Sequence, residues 1–152
     1  LDFTHNFEVD TRYPGKVYKI MWDKKMFDSI AKAYDDFAKK VQVPLFLGEF
    51  GVNARGGNYG EGDWVHDILS AGKKYGISWT YWTYKTIANY AYPDGIYRYI
   101  GNPAWVNRQG PIAGLETFAS VWPKEKGSMI YSWRTENFKR NDNIFSALKE
   151  FF

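Results

Sequence analysis

One carboxylate stands directly after a short apolar segment, in a setting that suits it for chemistry. Glu49 follows Leu45-Phe46-Leu47-Gly48, which carries no charge and is preceded by Pro44. Such a segment predicts a strand buried on both faces, as in a parallel sheet. Because burying an unpaired carboxylate is strongly unfavourable, we expect Glu49 at an open strand end, where a glutamate can act as acid, base or nucleophile. The alternative is that Glu49 only caps the following loop.

A second segment places aromatic rings in alternation with small polar residues. Its pattern predicts a strand over residues 76–85, with Trp79 on one face and Trp82 on the other. Aromatic residues make up 20% of the chain, including seven Trp, and aromatic faces suit the apolar patches of sugar rings. The alternative for both tryptophans is a place in an aromatic core, and for the excess of aromatics a protein interface.

Two amphipathic helices are predicted to position these strands. Apolar residues at three- and four-residue steps indicate a helix over 23–40, with Asp23 as N-cap, and a second over 63–75, ended by Gly76. The order helix, strand, helix, strand predicts a parallel sheet with right-handed crossovers. Residues 17–22 form a short strand or a loop.

The remaining sequence gives weaker signals. Residues 51–62 are rich in glycine but lack a phosphate-binding motif, so a flexible loop is expected there. Residues 86–110 predict a long aromatic loop beside Glu49, residues 111–122 and 143–152 predict helices, and residues 129–133 predict a strand.

Composition excludes several classes of function. The net charge of +3 comes from lysines scattered beside acids, which indicates a solvated surface and no nucleic-acid interface. No stretch approaches the length of about 18 apolar residues that a membrane span needs. The chain has no cysteine, and His66 beside Asp63 and Asp67 lacks a third ligand, so no metal and no cofactor are expected.

The segment Pro44–Gly51 (PLFLGEFG) resembles the seventh strand of glycoside hydrolase family 5, the retaining cellulase-type (β/α)8 barrels. The segment with Gly76-Ile77-Ser78-Trp79 and Trp82 resembles the eighth strand, and Leu1–Phe7 matches the sixth. The resemblance implies that Glu49 is the catalytic nucleophile. It also implies a set of substrate-binding residues: His5, Asn53, Trp79, Trp82 and Lys85. Phe7 departs from the family, since many members have there a tyrosine that bonds the nucleophile.

The resemblance also implies an α/β fold that forms about half of a TIM (β/α)8 barrel, with residues 1–152 as a single domain. A complete barrel typically needs about 250 residues. The family's acid/base motif, Asn-Glu-Pro, is absent from this sequence, and Glu8 and Asp10 are the nearest substitutes. We therefore expect a missing N-terminal half-barrel or a second chain to supply the acid. The expected substrate is a β-glucan or a related polysaccharide, with endo-β-1,4-glucanase activity and an extracellular or secreted location. The alternatives are a non-catalytic carbohydrate-binding module and an assembly subunit.

Overall fold

The computed structural model describes residues 12–17, 19–52, 59–85, 95–99 and 116–152. Within these ranges the chain forms six short strands, four α-helices and one 3₁₀ turn. In chain order they are β1 Gly15–Val17, β2 Ile20–Trp22, α1 Lys24–Val41, β3 Phe46–Phe50, α2 Glu61–Tyr75, β4 Ser78–Tyr81, β5 Tyr97–Tyr99, α3 Glu116–Ser132, the 3₁₀ turn Thr135–Asn137, β6 Phe138–Arg140 and α4 Asp142–Lys149.

Helix α1 confirms the predicted first helix within one residue at each end. The Asp23 side chain accepts a hydrogen bond from the backbone N–H of Met26 at 2.8 Å, which satisfies one of the unpaired donors of the first turn. At the other end Gln42 takes a left-handed conformation, and its N–H bonds the carbonyl of Ala38. The chain then turns directly into β3.

Strands β3 and β4 pair in parallel, with α2 as the connection between them. Gly76 ends α2 in a left-handed conformation, as its position in the sequence predicts. Since α2 returns the chain to the start of β4, its N-terminus lies at the carboxyl end of both strands. The prediction of a parallel α/β arrangement is confirmed for this pair.

The hydrophobic core lies between this pair of strands and the helices α1, α2 and α4. Helix α2 is central, because it packs against α1 on one side and α4 on the other. Phe50 connects the strands to the core, with ring centroids 6.4 Å from Trp64, 5.8 Å from Trp79 and 5.4 Å from Tyr81. The largest fully buried side chains are Phe50, Val52, Glu61, Trp64, Val65, Leu69, Met129, Ile144 and Leu148.

Two predictions for the second half of the chain are wrong. Residues 129–133 do not form a strand: Met129 to Ser132 end helix α3, and the N–H of Trp133 bonds the carbonyl of Met129 at 3.0 Å. A short apolar run cannot distinguish a strand from a buried helix segment by periodicity alone, which explains the error. The interval 86–110 is not only loop, since it contains β5, which pairs antiparallel with the distant β6.

Candidate active site

The two faces of the β3–β4 pair differ sharply in what covers them. Leu47 lies opposite Trp79, and Phe50 lies opposite Tyr81; these four side chains face the helices and contact the core. Phe46 lies opposite Ser78, and both are exposed, with Phe46 64% accessible. We call this second surface the open face, because no described helix covers it.

A bulge at the end of β3 contains Glu49. Gly48 and Glu49 together oppose Thr80, so the strand gains one residue between the pairs at Leu47 and Phe50. The extra residue lets both Leu47 and Phe50 face the helices, although they are three positions apart. The Thr80 hydroxyl donates a hydrogen bond to the carbonyl oxygen of Gly48 and so ties β4 to the bulge. Glu49 is exposed, as the sequence predicts for a carboxylate at a strand end.

Trp82 follows β4 at the same edge as Glu49. Its backbone N–H donates to the carbonyl oxygen of Phe50 at 2.8 Å, which fixes it beside the end of β3. The Trp82–Thr83 peptide bond is cis. The indole is 43% exposed, unlike the core ring of Trp79. A carboxylate and an accessible aromatic face therefore stand on neighbouring strand ends, where active sites of parallel α/β folds lie.

The structure places Lys85 in a half-buried position with partners from the C-terminal segment. Its ammonium donates to the carbonyl oxygen of Trp133, lies 3.5 Å from the Thr135 hydroxyl and stands 4.9 Å from the centre of the Phe138 ring. These partners connect the end of β4 to the C-terminal segment. Contact of Lys85 with a sugar stays a prediction.

Trp79 lies on the helix-covered side of the strands. Its ring centroid is 5.8 Å from Phe50 and 5.4 Å from Phe152. This placement favours the core interpretation of Trp79 over substrate binding. The other predicted contacts, His5 and Asn53, lie outside the described residues, as do the substitute acids Glu8 and Asp10.

Sequence reasoning missed the role of Thr80 in holding the bulge. The alternation of residues 76–85 places Thr80 and Trp82 on one face, and that signal was available. Strict alternation along β3 would place Phe46, Gly48 and Phe50 on the same face. The sequence pattern therefore does not predict the bulge. The hydrogen bond from Thr80 to Gly48 follows only from the three-dimensional pairing.

Two carboxylates near the core, Glu61 and Asp67, form hydrogen bonds within the fold. Glu61 is fully buried at the start of α2, where it accepts a hydrogen bond from the N–H of Tyr59 at 3.0 Å and lies at the positive end of the helix dipole. Asp67 accepts from the Tyr13 hydroxyl at 2.7 Å. Burial, followed by this bond, raises the pKa of Tyr13 well above its usual range.

Within the part of the chain that the structure describes, no three side chains of His, Asp or Glu come together in a group that could hold a metal ion. In the same residues no helix has the length and apolar character to cross a membrane.

The described residues thus define a mixed α/β unit with a carboxylate and a tryptophan at the ends of a parallel strand pair. Among solved structures, the chain is similar to a protein described as an endoglucanase, at 22% identity and a TM-score of 0.41. The similarity covers 68% of this chain and 29% of the endoglucanase, so this chain spans less than a third of that protein. No family model matches the sequence, and no curated protein matches it.

Proposed function

We propose that the chain carries part of the active site of a retaining β-glycoside hydrolase, with Glu49 as the nucleophile. The observation that supports this most is the position of Glu49: exposed, at the carboxyl end of a parallel strand and on the strand end next to that of Trp82. A loop cap does not require a bulge that leaves the carboxylate exposed at the end of the strand.

In the proposed reaction the Glu49 carboxylate attacks the anomeric carbon and forms a glycosyl ester as the bond to the leaving oxygen breaks. A carboxylic acid protonates that oxygen, and the resulting carboxylate then takes a proton from the water that hydrolyses the ester. The exposed Trp82 ring offers a stacking surface for the sugar beside the reacting bond. The substrate class is a β-1,4-glucan or a related polysaccharide, consistent with a secreted enzyme.

The second carboxyl group does not come from the paired strands β3 and β4. Retaining hydrolysis needs two carboxyl groups about 5–5.5 Å apart. Glu49 is the single acidic residue in β3 and β4. We therefore assign the acid/base to an N-terminal half-barrel, upstream or on a second chain, that would complete a (β/α)8 barrel with this half.

Covalent trapping tests the role of Glu49. The chain is isolated from its source with its companions through a tag at the C-terminus and treated with an activated 2-deoxy-2-fluoro-β-cellobioside. We expect a glycosyl ester on the peptide that contains Glu49 and loss of carboxymethyl-cellulose hydrolysis in Glu49→Gln. Asp36→Asn, which changes an exposed carboxylate of α1, is the control and keeps full activity. A label on another residue, or an active Glu49→Gln variant, would refute the assignment.

A glycan-binding protein without turnover is the second candidate, and the lack of another acidic residue in β3 and β4 favours it. In that case binding of cello-oligosaccharides survives Glu49→Ala and is lost in Trp82→Ala. Isothermal titration with cellohexaose separates the two candidates, because the hydrolase also releases reducing sugar.

A further inference from the structure

A second exposed aromatic residue stands two positions beyond Trp82. Exposure alternates at the end of β4: Tyr81, Thr83 and Lys85 are half-buried, whereas Trp82 and Tyr84 are exposed. Two residues of extended chain span at most about 7 Å, so the backbone positions of Trp82 and Tyr84 are close neighbours. The exposed aromatic surface at this strand end therefore continues past Trp82.

Backbone hydrogen bonds fix the segment that carries Tyr84. The N–H of Ile96 donates to the carbonyl oxygen of Thr83 at 2.8 Å, and the N–H of Tyr97 donates to that of Tyr84 at 3.0 Å. These bonds join the segment to the start of β5, which in turn pairs with β6. A side chain on a backbone that is already ordered loses less conformational entropy when a ligand binds.

The Tyr84 side chain is also restrained by its neighbours. Its ring centroid lies 5.1 Å from that of Tyr97, with an angle of 57° between the ring planes. Its hydroxyl oxygen lies 3.4 Å from the Thr135 hydroxyl oxygen, and the Lys85 ammonium stands 5.9 Å from the ring centre. Tyr84 nevertheless remains 55% exposed, so much of the ring is accessible to a ligand.

The turn that contains Thr135 adds polar groups beside this ring. Thr135 opens the 3₁₀ turn, and the next residue, Glu136, is exposed. The Glu136 carboxylate lies 3.7 Å from the guanidinium of Arg134, the residue before the turn. Hydroxyl and carboxylate oxygens accept hydrogen bonds from the hydroxyls of a sugar, and a guanidinium donates to them. An apolar surface with a few polar groups beside it is the usual composition of a small-molecule site.

We propose that Tyr84, Thr135 and Glu136 form a second subsite for a glucosyl unit, next to the subsite at Trp82. The inference rests on the proposed function, because it extends the sugar platform assigned to Trp82. The exposed Tyr84 ring stacks on the apolar C–H face of the sugar, while Thr135 and Glu136 bond its hydroxyls. Since Thr135 lies 51 residues after Tyr84, the C-terminal segment takes part in selecting a chain of sugars over a single glucoside.

Isothermal titration with a thio-linked cellohexaose tests the proposal, because sulfur in place of each bridging oxygen prevents hydrolysis. The chain is isolated with its companions through the C-terminal tag, and each variant is checked for folding by circular dichroism. Tyr84→Leu keeps an apolar side chain without a flat ring, and Tyr84→Phe keeps the ring without the hydroxyl. Tyr131→Leu is the matched control, since Tyr131 is 58% exposed and lies on α3.

We expect Tyr84→Leu to weaken binding by about three- to ten-fold, the range typical of a lost aromatic contact. Tyr84→Phe should retain most of the affinity, and Tyr131→Leu should bind as the natural chain does. In a Trp82→Ala background, Tyr84→Leu should weaken binding by the same factor, because separate subsites contribute independently.

Three results would overturn the second subsite while leaving the proposed function in place. Tyr84→Leu binds like the natural chain although Trp82→Ala does not; the loss from Tyr84→Leu disappears in the Trp82→Ala background, so that Tyr84 only supports Trp82; or Tyr131→Leu weakens binding equally, so that the sugar lies along α3. If the natural chain with its companions binds no cellohexaose, the proposed function fails and the subsite fails with it.

Discussion

At the scale of single residues, Tyr13, which precedes β1, contacts α2 through a partly buried hydrogen bond. Its hydroxyl donates to Asp67 at 2.7 Å, and its ring lies 6.0 Å from Phe27. We expect Tyr13→Phe to lower the free energy of unfolding by about 1–2 kcal/mol, because the Asp67 carboxylate loses a donor. Urea unfolding at pH 7 measures this change, and Tyr131→Phe, with an exposed ring, is the control.

The same contact predicts a dependence on alkaline pH. Because the pKa of Tyr13 is raised in the folded chain, the unfolded chain ionises first, near the ordinary value of 10.0. The contribution of Tyr13 to the free energy of unfolding is therefore fully present below pH 10 and is lost as the pH rises above that value. We expect the difference in unfolding free energy between the natural chain and Tyr13→Phe to stay constant up to about pH 10 and to fall beyond it. A constant difference up to pH 11 would contradict this.

Thr80 is a positioning residue for Glu49, because its hydroxyl bonds the Gly48 carbonyl within the bulge. On the proposed function, Thr80→Val removes this bond but keeps the shape of the side chain, so kcat on carboxymethyl-cellulose should fall by roughly ten-fold with KM little changed. Thr80→Ser retains the hydroxyl and should restore most of the rate. An unchanged kcat in a folded Thr80→Val protein would show that the bulge does not depend on this bond.

At the scale of elements, the two ends of α2 both use glycine in a left-handed conformation, yet their surroundings differ. A side-chain carbon at Gly60 would clash with the carbonyl oxygen of Tyr13, whereas one at Gly76 meets nothing within 4 Å. We expect Gly76→Ala to cost about 1–2 kcal/mol, from the backbone conformation alone. Gly60→Ala should cost clearly more, since the backbone at Tyr13 must also move.

Thermal unfolding of Gly60→Ala and Gly76→Ala measures which of the two variants loses more stability. Gly127→Ala on α3 is the control, because that glycine is helical and also has open space around it. Alanine favours the helix there, so its melting temperature should rise slightly. Equal losses at Gly60 and Gly76 would mean that Tyr13 does not lie against α2 in solution.

Much of the arrangement of elements follows from the sequence, and the reasons are local. The apolar period and the Asp23 cap predict α1, and Gly76 predicts the end of α2, because these signals depend on neighbouring residues only. The strand pairs β3–β4 and β5–β6 differ in this respect. The first follows from the helix between its strands, while the second joins residues about forty positions apart, and no local pattern predicts such a partner.

In the candidate site, too, some features follow from the local sequence and others only from contacts between distant residues. Glu49 and Trp82 are predicted from the ends of their strands, and the structure places both at one edge. Trp79 and Trp82 are alike in sequence, and only packing against Phe50 and Phe152 assigns Trp79 to the core. Lys85 likewise has partners, Trp133 and Thr135, that lie about fifty residues away.

At the scale of the whole molecule, apolar side chains remain exposed on the side of α1 away from α2. These side chains form a stripe on α1 that consists of Ile30, Tyr34, Phe37 and Val41, and Phe37 is 57% exposed. Exposed apolar patches of this kind mark surfaces that associate with other chains.

This surface predicts that the 152-residue chain self-associates as its concentration rises. Phe37→Lys adds a charge in the middle of the stripe, so we expect it to weaken association by at least roughly ten-fold, which corresponds to about 1.4 kcal/mol. Sedimentation equilibrium over a range of concentrations measures the change, and Ile130→Lys, an equally simple substitution at an exposed residue of α3, is the control. If the Ile130 variant dissociates and the Phe37 variant does not, the associating surface lies on α3. If the natural chain stays monomeric at all concentrations, the stripe on α1 is too small to hold a second copy.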